Sequence, residues 1–92
     1  MIVRISGEGQ YRLDDADTQP LNELESKVVA IVEAGSEDGF GDALAAMLDY
    51  VRSHGTPLAE DELVGSDVIL PPGDTSFEEA GREFTGEGLI PG

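Results

Sequence analysis

Apolar and polar residues alternate from the first position. In Met1-Ile-Val-Arg-Ile-Ser6, Val3 and Ile5 fall on one side and Ile2 and Arg4 on the other, which is the period of a strand. Gly7-Glu8-Gly9 supplies a short loop where glycine takes a positive φ. The chain returns with Tyr11 and Leu13 on one face and Gln10 and Arg12 on the other. The pattern predicts a β-hairpin over residues 1–13. Val3, Ile5, Tyr11 and Leu13 line its core face, and Arg4 and Arg12 share its outer face. A two-stranded hairpin is marginal alone and needs packing or another strand.

From Thr18 the period changes. Leu21, Leu24, Val28, Ile31 and Val32 recur at spacings of three and four and predict a helix over Gln19–Ala34. Asp17 or Thr18 caps it, Pro20 suits its first turn, Glu23 pairs with Lys27, and Gly35 ends it. Ser36 is read as the cap of a second helix, with Glu37 and Asp38 at the positive end of its dipole. Phe40, Ala43, Leu44, Met47, Leu48 and Val51 form its stripe. His54-Gly55 closes it, and Thr56-Pro57 prevents continuation. A turn of one or two residues makes the two helices an antiparallel hairpin over 18–55, and Ala43, Ala45 and Ala46 allow close approach.

Beyond Pro57 the pattern is irregular. Val68-Ile69-Leu70 is read two ways, as a third strand beside the hairpin or as an extended segment across the helices. Thr75 and Glu78 form a capping box for a short helix over Ser76–Phe84, with Phe77, Ala80 and Phe84 inward and Gly81 weakening it. Leu89 and Ile90 give the end of the chain an apolar character. The expectation is one α+β domain over 1–92: an N-terminal β-hairpin with or without a third short strand, packed on an antiparallel helical hairpin, then an extended segment, a short C-terminal helix and a tail (56–92).

Charge now restricts function. Among 92 residues, 20 are acidic and five basic, for a net charge of −15. Nucleic-acid affinity comes largely from Lys and Arg on phosphates, and anionic bilayers demand the same cations. Direct binding of nucleic acid or of a membrane is therefore not expected. A basic protein surface is the natural complement, although acidity also serves solubility in a salty cytoplasm. Self-repulsion on a small core favours a stabilising partner or a homo-oligomer.

Candidate chemistry is sparse. Without cysteine there are no disulfides, thiolate metal sites or thiol nucleophiles. No apolar run approaches the roughly 20 residues of a membrane span, and Met1–Tyr11 reads as strand rather than signal peptide, so a cytoplasmic protein is expected. Asp14, Asp15 and Asp17 cluster near a turn, but a calcium loop from Asp14 would have Gln19 where glycine belongs. His54 has no second ligand at metal-site spacing and suits a helix C-terminus, where free carbonyls await it. Gly7-Glu8-Gly9 lacks the Gly-Lys-Ser/Thr of a phosphate loop, and no serine lies in a Gly-x-Ser-x-Gly elbow. No motif calls for a cofactor, a metal or a catalytic group, and the expectation is a protein that is not an enzyme.

Five stretches, in order, carry a resemblance: Met1-Ile-Val-Arg-Ile-Ser-Gly-Glu-Gly-Gln-Tyr11, Leu21-Asn-Glu-Leu24, Val51-Arg-Ser-His-Gly-Thr-Pro-Leu58, Ser66-Asp-Val-Ile-Leu-Pro-Pro72 and Glu87-Gly-Leu-Ile-Pro-Gly92. The sequence resembles the PspA-associated protein family, PspAA, over nearly the whole chain. None of these stretches is a catalytic motif, and specificity rests on their order. The resemblance implies an accessory of PspA, the coiled-coil membrane-remodelling protein of the phage-shock, or envelope-stress, response, working at the cytoplasmic membrane face through its partner. It brings no residue-level site with it. From the residues themselves, the partner-binding candidates are Arg4, Tyr11 and Arg12 on the hairpin and Leu89 and Ile90 on the tail. The alternative readings are pairing of the arginines with the protein's own carboxylates and docking of the tail residues on the core. Two other functions stay open on the residues: an acidic module imitating nucleic acid in a basic groove, and a small carboxylate- or metal-dependent hydrolase.

Overall fold

The structure is a computed structural model, and it describes residues 1–59 and 64–83. Strands β1 (Ile2–Ile5) and β2 (Gly9–Arg12) form the hairpin. A 3-10 turn at Asp15–Asp17 leads into helix α1 (Thr18–Ala34), followed by α2 (Phe40–His54), β3 (Thr56–Pro57), β4 (Val68–Leu70) and α3 (Phe77–Glu83). The fold class is α+β, as the periodicities require. The strands make one mixed sheet in the order β3-β2-β1-β4.

The hairpin register pairs Val3 with Tyr11 and Arg4 with Gln10. In the turn, the Glu8 N–H donates to the Ile5 carbonyl at 2.9 Å, and Gly7 has φ +78°. That value suits the third position of a type II turn and disfavours any residue with a Cβ. The Val68–Leu70 triplet is indeed a strand, and it runs parallel to β1, with Ile69 beside Arg4. A parallel neighbour requires a crossover. Here β3 ends at one edge of the sheet, and residues 58–67, of which 60–63 lie outside the described part, connect it to the opposite edge.

One face of the sheet packs on the helices. Val3, Ile5 and Leu13 from the hairpin and Val68 and Leu70 from β4 join Leu21 and Val28 of α1 and Leu44, Met47, Leu48 and Val51 of α2 in one buried cluster. Helix α3 closes it with fully buried Ala80, and Phe77 meets the edge of Phe40 at a centroid distance of 5.6 Å. Removing this apolar surface from water is the main stabilising term.

Several local expectations are corrected. The turn between α1 and α2 is not one or two residues but spans 35–39, and Ser36 does not cap α2. Gly39 does, in a left-handed conformation, so Glu37 and Asp38 precede the helix instead of opening it. The capping box is shifted by one residue from Thr75 and Glu78. The Glu79 N–H donates to Ser76 Oγ (3.1 Å) while Glu79 Oε1 accepts from the Ser76 N–H (3.2 Å). Asp17 holds the N-cap position of α1 without a side-chain cap bond. Its carboxylate accepts from the Tyr50 hydroxyl instead, at 2.9 Å. Glu23 and Lys27 form no ion pair; both are exposed, where such a pair gains little over solvation. The buried face of α1 is Leu21, Glu25, Val28 and Val29, rotated from the predicted stripe. Phe84 lies outside the described residues.

Candidate functional site

The hairpin divides the predicted interface residues between two environments. Tyr11 points toward the helices, half-buried against the core. Its hydroxyl donates to Glu8 Oε2 at 2.6 Å. The same carboxylate receives Arg52 from the last turn of α2: Nη2 reaches Oε1 at 2.7 Å, and Nε reaches Oε2 at 2.9 Å. Arg52 Nη1 also donates to Asp49, one turn back, at 2.9 Å. The hairpin turn is thus clamped to the C-terminal end of α2 by a forked guanidinium–carboxylate pair, the geometry that makes such bonds strong. Hydrogen bonds from Arg52 first, and from Tyr11 next, lower the Glu8 pKa from 4.5 to about 2. The Tyr11 hydroxyl is raised, chiefly because it donates to that carboxylate.

Gly55 lets this junction close. A Cβ there would lie 2.6 Å from the Val51 carbonyl oxygen and 2.9 Å from the Tyr11 Cβ. His54 stacks on Tyr50, with ring centroids 4.0 Å apart, and its Nδ1 lies 3.2 Å from the Tyr50 carbonyl oxygen. That contact is a C-terminal helix role, served by the tautomer that carries its proton on Nδ1. The Tyr50 hydroxyl is raised by burial, and further by its bond to Asp17.

Arg4 and Arg12 lie on the opposite face of the sheet, exposed to solvent. Among the described residues the ion pairs are those of Arg52, and neither hairpin arginine pairs with a carboxylate of those residues. Asp67, next to β4, instead accepts the Ile2 N–H at 2.7 Å. The amide of Gln10 reaches from this face to the Val64 carbonyl (3.1 Å) and Ser66 Oγ (2.7 Å), bringing the approach to β4 over the sheet. Val64 (37% exposed) and Ile69 (56%) are the two large hydrophobic side chains left exposed among the described residues. Beside the hairpin turn, Arg4, Gly9, Gln10, Pro57 and Leu58 border an open depression of about 460 Å³. Leu89 and Ile90 lie outside the described residues.

Among the described residues no three His, Asp or Glu side chains converge in a way that could hold a metal ion, and no helix is long and apolar enough to cross a membrane. Sequence reasoning missed the Glu8–Arg52 clamp and the buried Glu25. The clamp joins residues 44 positions apart that carry no shared spacing signal.

Fold and surface together define a small acidic α+β protein whose sheet buries one face under helices and carries two exposed arginines on the other, neither paired with a carboxylate of the described residues. The family model for PspA-associated proteins matches residues 1–92, and the chain belongs to that family. No curated protein and no solved structure matches it.

Proposed function

We propose that this protein is a non-enzymatic adaptor of a PspA-type coiled-coil protein in the envelope-stress response, drawn to the inner face of the cell membrane by that partner. The observation that carries this reading is the family match over all 92 residues. The charge supports a mechanism. Exposed acids run along α1 and α2, including Glu23, Glu33, Asp42 and Asp49. They complement basic stretches of a long helix that would otherwise engage anionic lipid. Covering those stretches competes with lipid binding, and the −15 net charge keeps the adaptor itself off the bilayer.

The test is capture of a PspA-type coiled coil by the tagged protein, followed by cosedimentation with anionic liposomes with and without the captured partner. The expected result is stoichiometric capture, and pelleting of the adaptor only when the partner is present. Failure to capture a PspA-type protein, or pelleting of the isolated adaptor, would overturn the reading.

A further inference from the structure

The outer face of the sheet sets exposed arginines beside exposed apolar side chains. Its arginines pair with no carboxylate of the described residues, in a chain with a fourfold excess of acids over bases, 20 against five. Arg4 and Arg12 stand diagonally across β1 and β2, since Arg4 faces Gln10 and Arg12 faces Ile2; diagonal neighbours are about 7–8 Å apart. Beside Arg4 in the register stands Ile69, more than half exposed. The Gln10 amide holds the Val64 carbonyl at the same face, and the depression lined by Arg4, Leu58 and the Arg52-paired Glu8 opens at its hairpin end. Among the described residues, exposed large apolar side chains beside exposed arginines are therefore concentrated on one side of the molecule, opposite the helices.

From this pattern we infer that the outer sheet face, centred on Arg4, Arg12 and Ile69, docks an amphipathic helix of a partner protein whose apolar stripe is flanked by Asp or Glu. The stripe covers Ile69 and Val64, and the acids pair with the two guanidiniums in the bidentate manner arginine favours. Charge complementarity selects this occupant. The Debye length is about 8 Å at physiological ionic strength, so a single helix on this face senses the local arginines. A bilayer extends past the whole molecule and meets its acidic remainder. A second copy presents acidic helices, but the exposed large hydrophobics of the described residues are Val64 and Ile69, so those helices offer charge without an apolar stripe. Back-to-back pairing of two such sheet faces sets arginine against arginine. The inference goes beyond the PspA reading and does not depend on it, because the helix surface assigned to PspA lies on the other side of the sheet.

The experiment titrates the intact protein with a synthetic helical peptide bearing a leucine stripe flanked by glutamates, and with the same peptide flanked by lysines, while backbone amide NMR shifts are followed. The expected result is perturbation centred on residues 2–4, 10–12 and 68–70 by the glutamate peptide alone. Arg4→Gln with Arg12→Gln weakens that binding by about tenfold or more, and Ile69→Ser weakens it independently. All three side chains are exposed, so amide shift dispersion serves as the check that the variants stay folded. Equal binding of both peptides, perturbation confined to α1 and α2, or no binding of the glutamate peptide overturns the inference. So does movement of the same amides by anionic vesicles, or by self-association of the protein without peptide.

Discussion

At the scale of single residues, the clamp between Glu8 and Arg52 makes a pH-dependent prediction whose sign is fixed by the bonds. Arg52 and Tyr11 favour the carboxylate form and hold the Glu8 pKa at about 2, against an ordinary 4.5. A lowered folded-state pKa contributes stability that is fully present above the ordinary value and fades as pH falls from about 4.5 toward 2. Side-chain carboxyl NMR should place the Glu8 midpoint near 2 in the native protein, and Arg52→Gln should return it toward the ordinary range. Because both partners are about one-third exposed, Glu8→Gln should cost under about 1 kcal/mol. Gly55 makes a steric prediction. Its missing Cβ leaves room for a carbonyl and for Tyr11, so Gly55→Ala forces backbone to move and should destabilise by about 1–3 kcal/mol. Gly41→Ala, inside α2 with open space around the added carbon, should stabilise by about 0.5–1 kcal/mol instead. Thermal unfolding of the two variants side by side checks the contrast, and equal shifts would refute it.

At the scale of elements, the reciprocal bonds of Ser76 and Glu79 secure a helix of only seven residues. The same bonds lower the Glu79 pKa, the backbone N–H of Ser76 foremost. Ser76→Ala should cost about 1 kcal/mol, and amide exchange in α3 should accelerate before exchange in α1 or α2 does. Uniform acceleration would mean that α3 does not open separately. These elements also show what the sequence made legible. The hairpin was readable because strict alternation leaves Val3 and Ile5 one destination and Arg4 the other. Helix α2 was readable because its stripe runs unbroken from Phe40 to Val51. On α1 the apolar positions span too wide an arc to name the buried side. In the fold α1 meets both α2 and α3, and its buried side takes in Val29 and Glu25. The strand character of Val68–Leu70 was visible. Its parallel pairing with β1 was not, since nothing local encodes a register some 65 residues distant. Thr56–Pro57 carried a stop signal for α2 and no pattern long enough to reveal an edge strand. Of the candidate site, the shared outer face of Arg4 and Arg12 followed from period two alone. That neither arginine pairs with a carboxylate of the described residues depends on where the folded chain places them, Glu8 on Arg52 and Asp67 on the Ile2 N–H.

At the scale of the whole molecule, electrostatics act in opposition, and counting decides the sign. Twenty acids against five bases make the compact state repel itself. The described ion pairs that salt can weaken are the two of Arg52, both on exposed or half-exposed side chains, and pairs of that kind contribute about 0–1 kcal/mol. Relief of repulsion spread over the surface outweighs the loss of those pairs. Raising sodium chloride from about 0.01 M to 0.15 M shortens the Debye length from about 30 Å to about 8 Å, from beyond the protein's 25 Å middle dimension to well inside it. Thermal unfolding should therefore move upward with salt over that range. Each 1 kcal/mol gained lifts Tm by about 4–8 °C for a chain of this size. Screening saturates once the Debye length falls below the spacing of neighbouring charges, so most of the gain should be complete at moderate ionic strength, whichever monovalent salt is used. A Tm that stays flat or falls across this interval would show that the acidic surface is already relieved in the folded state. A gain that instead followed the identity of the anion would indicate a bound ion or a change in apolar hydration, not screening. The same titration should weaken capture of a basic helix by the acidic side of the molecule. Salt would then strengthen the isolated fold while loosening its complex, and the two curves measured together separate self-repulsion from attraction to a partner.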